Sequence, residues 1–137
     1  MSRLRTALIA NGAQVVLLFE GANDLSLQAP IVVIARGLRD LVREARQRGA
    51  QVLVATLLPQ GGSCRGTKAA VIPAVNDAIR AMAAEENAPL VDLYQGFSGS
   101  ASPYIGSDGL HPNALGYQRV ADLFFGVIRE RFEVGVR

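Results

Sequence analysis

The sequence has few of the residues that mark metal sites, disulfide frameworks or nucleic-acid surfaces. Its 137 residues include one cysteine, Cys64, one histidine, His111, and no tryptophan. A single cysteine excludes an internal disulfide and a multi-cysteine zinc site. The 14 basic and 12 acidic side chains are scattered along the chain and give a formal charge of +2. Because a phosphate-binding surface needs clustered Lys and Arg, we expect no nucleic-acid partner.

Long apolar runs are also absent. The longest stretches, Gln14–Phe19 and Val52–Leu58, are far shorter than the roughly 20 residues that span a bilayer, so we expect no membrane partner. The residues before Asn11 lack the long apolar core and cleavage site of a secretory signal, and the cellular compartment stays undetermined. Half of the positions are apolar, which suffices for one core and predicts a single domain over residues 1–137.

Aliphatic runs alternate with segments of helical spacing. Buried strands are predicted over Gln14–Phe19, Gln51–Leu57 and Pro89–Leu93. Helices are predicted from Pro30 to near Gly49, around Val71–Ala83, and from Asn113 onward. The last helix is predicted to bury Val120, Ala121, Leu123, Phe124, Val127 and Ile128. Between these elements, Pro59–Gly66 is predicted to be a flexible loop.

This alternation predicts an α/β fold. Strands made of continuous apolar runs indicate a parallel sheet covered by helices on both faces, in a three-layer α/β/α arrangement. Ligands bind such sheets at the carboxyl ends of the strands. The loops after Phe19, Leu57 and Leu93 are therefore the places to search for a site.

His111 lies where the final loop meets the final helix, and Asp108 precedes it by three residues. A turn of this length brings a carboxylate to the imidazole Nδ1 and leaves Nε2 free as a general base. A lone histidine is more often structural or solvated than catalytic. Asp108 is equally suited to a turn or helix-capping position. The spacing favours an acid–base pair without excluding these alternatives.

Asn23 follows the first predicted strand, within Gly21–Asp24. Its side-chain amide is therefore expected at the carboxyl edge of the sheet, where an N–H donor stabilises a developing oxyanion. Taken alone, an Asn-Asp pair after a strand is an ordinary turn. Together with the Asp-x-x-His spacing in another loop at the same edge, it favours a catalytic site.

These two segments resemble the third and fifth sequence blocks of the SGNH hydrolases, also called the GDSL esterase/lipase family. The resemblance covers essentially the whole chain. The matching positions are Gly21-x-Asn23-Asp24, Asn76, Ile79, Val91-Asp92-Leu93-Tyr94, Asp108-x-x-His111-Pro112 and Gly116-Tyr117.

The resemblance implies a fold, an activity and site roles. The fold would be the flavodoxin-like arrangement of SGNH hydrolases, with the strands in the order second, first, third, fourth, fifth. Asn23 would be an oxyanion donor, His111 the general base, Asp108 its orienting acid and Gly21 a substrate contact. The family hydrolyses esters by acyl transfer without a metal or organic cofactor. The expected substrate is a small ester or an acylated carbohydrate.

The sequence departs from the family at the nucleophile. The family's serine lies in a Gly-Asp-Ser motif upstream of the Gly-x-Asn-Asp block, and this motif is absent from the chain. We therefore expect an N-terminally truncated domain that lacks the usual nucleophile. Ser26, Ser63, Cys64 and Ser107 are possible substitutes, but loop serines are usually solvated and a lone thiol is commonly a packed residue.

Two further functions remain open: a non-catalytic binding module, and an assembly fragment that retains the Asn and Asp/His site. By the family's strand order, the strand Gln14–Phe19 would become a sheet edge. An apolar edge without Pro or charge favours pairing with another chain. We therefore expect a homo-oligomer through this edge, or association with a missing N-terminal fragment. The alternative is a monomer whose first dozen residues cover the edge.

Overall fold

The computed structural model describes residues 3–62 and 64–133. Its helices are α1 (Arg3–Asn11), α2 (Ala22–Ser26), α3 (Ile31–Arg46), α4 (Ile72–Glu85), α5 (Leu93–Gly96) and α6 (Ala114–Phe132). Its strands are β1 (Val15–Leu18), β2 (Gln51–Ala55) and β3 (Leu90–Val91).

The three strands form one parallel sheet in the order β1-β2-β3. Val15 pairs with Gln51 and Leu18 with Val54, while Val54 pairs on its other side with Leu90. All three strands therefore end at the same edge of the sheet. The predicted α/β fold with a parallel sheet is confirmed.

Two apolar cores lie on opposite faces of the sheet. The first contains Val52 and Val54 of β2 and is covered by α1, α3 and α4. The second contains Leu53 and Ala55 of the same strand and is covered by α5 and α6. Successive β2 side chains thus enter different cores, which explains why this strand is a continuous apolar run. None of the helices in the described part of the chain has the length and apolarity needed to cross a membrane.

The elements differ from the sequence prediction in three respects. Each strand is shorter than predicted; β2 ends at Ala55, and the N–H group of Leu57 bonds the Asn76 side chain instead of a neighbouring strand. Helices α1, α2 and α5 were not predicted; α2 occupies the segment interpreted as a turn, and α5 begins at Leu93, which was assigned to the third strand. Ala121 is exposed, although the apolar stripe of α6 predicts its burial.

Ala121 belongs to an apolar surface that the described residues leave uncovered. On α6 its neighbours one turn away, Tyr117 and Phe125, are 59% and 58% exposed. Leu17 of β1 and Phe19, the residue after the strand, are 48% and 38% exposed, and they point to the same face of the sheet as α6. Helix α1 packs against α3 on the other face and leaves these side chains in solvent. The strand β1 is therefore both a sheet edge and an apolar surface.

Asn76 connects helix α4 to the loop that follows β2. Its side chain is fully buried. Its Oδ1 accepts the Leu57 N–H at 2.7 Å, and its Nδ2 donates to the Leu57 carbonyl at 2.9 Å. One side chain thus satisfies both backbone groups of a residue that has left the sheet, and it fixes the start of the loop.

We expect Asn76→Ala to lower the free energy of unfolding by about 2 to 4 kcal/mol, because it leaves two buried backbone groups of Leu57 without partners. Urea denaturation measures this change. The matched control is Asp77→Ala, the adjacent and exposed position on α4, which we expect to change stability by less than about 1 kcal/mol. Equal stabilities for the two variants would contradict this account of Asn76.

We expect the chain to self-associate at micromolar concentration through β1, because apolar exposed edge strands pair with other chains. Leu17→Lys places a charge in the middle of this edge and should shift the sedimentation profile toward monomer. Leu27→Lys, at a position that is 83% exposed outside β1, is the control and should leave the profile unchanged. A monomeric wild-type chain whose β1 amides exchange rapidly with solvent would show that the edge is tolerated.

Candidate active site

The turn from Asp108 to His111 is organised around one carboxylate. Asp108 Oδ1 accepts the backbone N–H groups of Leu110 at 3.0 Å and His111 at 2.9 Å. Asp108 Oδ2 lies 2.6 Å from His111 Nδ1 and accepts its hydrogen. This contact places the ring hydrogen on Nδ1 and leaves the Nε2 lone pair available to accept a proton.

These contacts also determine the charge of Asp108. The hydrogen bond from the His111 ring, followed by those from the Leu110 and His111 N–H groups, holds the pKa of the Asp108 carboxyl well below its ordinary value of 3.8. All three donors favour the ionised form. Asp108 is therefore a carboxylate wherever His111 acts as a base.

Backbone contacts hold the turn against the start of α6. Gly106 N–H donates to the His111 carbonyl at 2.7 Å, and Asn113 N–H donates to the Tyr104 carbonyl at 2.9 Å. Asn113 then caps α6, since its Oδ1 accepts the Gly116 N–H at 2.9 Å. A Cβ at position 116 would lie 2.2 Å from the Tyr104 oxygen. Glycine is therefore required there for this close approach.

The loop after β2 is bonded to the same turn. Gly61 N–H donates to the Gly109 carbonyl at 2.7 Å, and Arg65 N–H donates to the Asp108 carbonyl at 2.9 Å. A Cβ at Gly66 would lie 1.9 Å from the Gly109 oxygen, so only glycine allows this contact. We call these contacts the loop–turn clasp. As predicted, the described residues of Pro59–Gly66 form neither helix nor strand, and its glycines at positions 61 and 66 serve a close backbone contact.

Asn23 lies in α2, directly after the short segment that follows β1. The helix begins after Gly21, whose φ of 112° is a backbone conformation that side chains disfavour. Asn23 itself is exposed. Gly21 is buried next to Ile34 and Leu57 and does not line the cleft described below. Its role as a substrate contact therefore stays a prediction.

Asn23 and His111 line the same cleft, which has a volume of about 270 Å³. Most of its wall is apolar, and its polar members are Glu20, Asn23, Gln60, His111 and Tyr117. The structure thus places two predicted residues in one cleft, with Asp108 bonded directly to His111. Sequence reasoning missed Gln60, which is only 8% exposed.

None of the candidate nucleophiles in the described residues lines this cleft. Ser26 Oγ donates to the Ala22 carbonyl at 3.0 Å, within its own helix. Cys64 and Ser107 are exposed and lie outside the cleft wall, and Ser63 lies outside the described residues. Among the described side chains that line the cleft, the one with a hydroxyl group is Tyr117.

A second aspartate at the carboxyl edge has a different role. Asp92 follows β3, and its carboxylate accepts two hydrogen bonds from the Arg80 guanidinium, at 2.9 and 3.1 Å. It also accepts from Thr56 Oγ1 at 3.1 Å and from the Gln95 N–H at 3.1 Å, which caps α5. These contacts tie the end of β2 to β3 and support the sheet edge. Among the described residues no group of three or more His, Cys, Asp or Glu side chains is placed to hold a metal ion.

The structure is thus an α/β protein with a parallel sheet and an Asp–His pair beside a cleft at the carboxyl edge of that sheet. The model of the GDSL-like lipase/acylhydrolase family matches residues 2–119. The chain therefore belongs to this family and resembles an esterase. The resemblance to SGNH hydrolases predicted from the sequence is confirmed. No curated protein sequence matches the chain at a significant level.

Solved structures share the fold. A GDSL-like lipase from Bacteroides thetaiotaomicron superposes with a TM-score of 0.81 and 21% identity over 93% of this chain and 68% of its own. A lipase/acylhydrolase from Enterococcus faecalis superposes with a TM-score of 0.83 and 23% identity, over 94% of this chain and 68% of its own. A catalytic mutant of an acetylxylan esterase from Geobacillus stearothermophilus superposes with a TM-score of 0.77 and 20% identity, over 92% of this chain and 64% of its own. About a third of the length of each of these chains thus has no counterpart here.

We expect the wild type to be more stable than Asp108→Asn at neutral pH, and this difference to vanish in acid. A carboxyl whose pKa is lowered by folding stabilises the fold above its ordinary value of 3.8 and loses this effect as the pH falls below it. Urea denaturation across a pH series measures the difference. Asp122→Asn, an exposed position on α6, controls for the lost charge. A difference that persists undiminished in strong acid would contradict the assignment.

Proposed function

We propose that this chain carries the acid–base pair and an oxyanion donor of a carboxylic ester hydrolase that acts by acyl transfer. The observation that carries the proposal is the 2.6 Å contact between Asp108 Oδ2 and His111 Nδ1, beside a cleft that His111 shares with Asn23. An oriented imidazole and a neutral N–H donor in one cleft are two of the groups that acyl transfer requires, beside the attacking hydroxyl.

Each residue has a defined part in the proposed reaction. His111 Nε2 takes the proton of the attacking hydroxyl as its oxygen bonds to the ester carbon, and Asn23 donates to the oxygen that becomes negative. The ester C–O bond then breaks, and the alcohol leaves with the proton from His111. Water repeats the sequence on the acyl intermediate and releases the acid. Asp108 stays ionised and stabilises the imidazolium.

The attacking hydroxyl is the missing part. The family's Gly-Asp-Ser motif does not occur in the 137 residues, and the described serines and cysteine lie outside the cleft wall. In the proposal this hydroxyl belongs to a serine outside the printed sequence. Without it the pair acts only on water, and we expect slow hydrolysis, because sites that lack a triad member retain limited catalysis.

The cleft favours a small acyl group. Its volume of about 270 Å³ lies just below the range of roughly 300–1,000 Å³ that is typical of ligand pockets. Its apolar wall suits an alkyl chain of a few carbons. The acetylxylan esterases among the structural neighbours support an acylated carbohydrate as one substrate class, with a simple short-chain ester as the other.

A non-catalytic binding module is the second candidate. The observation that favours it is the absence of Ser, Thr and Cys among the described residues that line the cleft. Such a module would bind the ester and leave it intact. Hydrolysis and binding measured on the same preparation distinguish the two candidates.

We expect the 137-residue chain to hydrolyse p-nitrophenyl acetate above the solvent rate and His111→Ala to lower this rate by at least about tenfold, because general base catalysis contributes about 10²–10⁴-fold. Gln118→Ala, at an exposed position on α6 outside the cleft, is the control and should retain the wild-type rate. An unchanged rate in His111→Ala would assign the activity to another site. Binding without hydrolysis in the wild type would favour the binding module.

A further inference from the structure

We infer that Gln60 is a substrate-binding residue that donates a hydrogen bond from Nε2 to the carbonyl oxygen of an ester in the cleft. The inference rests on the proposed function, since it concerns the same cleft. It adds a residue that neither the Asp108–His111 pair nor the Asn23 block contains.

Burial is the first observation. Gln60 is 8% exposed, which is unusual for a side chain with a primary amide. It lines the cleft together with Asn23 and His111. A long polar side chain enclosed in a largely apolar wall is costly unless its polar atoms have partners.

The orientation of the amide is the second observation. Gln60 Oε1 accepts the backbone N–H of Lys68 at 2.8 Å. A flipped amide would place its N–H₂ group against that N–H donor, so the contact fixes which end of the amide is which. The Lys68 N–H therefore holds the amide oxygen, and the N–H₂ group points away from Lys68.

The third observation is that Nε2 has no hydrogen-bond partner among the described residues. No described residue accepts a hydrogen bond from it, whereas every fully buried side-chain nitrogen or oxygen in the described part of the chain has a partner. Nε2 is therefore not fully enclosed, as a donor to a ligand in the cleft that Gln60 lines must be. A donor held in this way binds an acceptor without first losing conformational freedom.

The position of the loop completes the geometry. Gly61, the next residue, donates to the Gly109 carbonyl in the loop–turn clasp. Gln60 is thus held at both ends, by Lys68 through its side chain and by the Asp108–His111 turn through its neighbour. This fixed placement beside the base distinguishes it from an exposed loop glutamine. A neutral acceptor of the type found in esters is the matching ligand.

Two variants and two ligands test the inference. Gln60→Glu keeps the length of the side chain and an oxygen for Lys68 N–H, but it has no N–H to donate. Gln60→Leu removes both functions. Gln95→Glu makes the same change at an exposed position on α5, outside the cleft, and controls for the added charge. The ligands are ethyl butyrate and ethyl butyl ether, which differ in the carbonyl oxygen.

We expect the wild type to bind the ester more tightly than the ether by about 3- to 10-fold, the effect of one net hydrogen bond. Amide chemical shifts measured by NMR report the binding, and the Gln60 side-chain N–H₂ signals should shift with the ester and not with the ether. Gln60→Glu and Gln60→Leu should lose the preference, and Gln95→Glu should retain it.

A preference for the ester that persists in Gln60→Glu would overturn the inference, as would a wild type that binds both ligands equally or binds neither. The retained fold of each variant is checked from its NMR spectrum. The p-nitrophenyl acetate assay with His111→Ala is independent of these ligands. Loss of the proposed activity is therefore distinguishable from failure of the Gln60 assignment.

Discussion

The parallel alignment of β1, β2 and β3 is the constraint on which the site depends. Because the strands run in the same direction, the chain leaves each of them at one edge of the sheet. The segment after β1 carries Asn23, and the loop after β2 carries Gln60. Asn76 preserves this arrangement beyond the sheet, since it pairs with both backbone groups of Leu57 where strand pairing has stopped.

Two kinds of contact build the site on this edge. The Asp108–His111 pair is local, made within a four-residue turn by one carboxylate. Its position relative to the cleft is determined by long-range contacts, mainly between backbone atoms of the loop–turn clasp and of the start of α6. Local chemistry thus supplies the charge and tautomer, while backbone packing supplies the placement.

This division explains what the sequence could predict. The Asp-x-x-His spacing and the placement of Asn23 after a strand were readable because each depends on a few adjacent residues. The sequence did not predict the extent of the strands, the backbone contacts that hold the loop after β2, or the burial of Gln60. Each of these depends on partners far along the chain. Ala121 was predicted to be buried because periodicity identifies an apolar face but not whether another element covers it. The absence of a Gly-Asp-Ser motif needs no structure, since the printed sequence alone shows it.

The loop–turn clasp has a consequence for how this protein can vary in length. Gly61 and Gly66 are each held against Gly109, while the Gly62 N–H closes the tip of the loop on the Gly66 carbonyl at 3.0 Å. Residues inserted next to the exposed Cys64 would extend outward into solvent, whereas insertions before Gly61 or after Arg65 would displace the anchored ends. The tip is therefore the point at which a longer loop can be grafted without moving the Asp108–His111 turn.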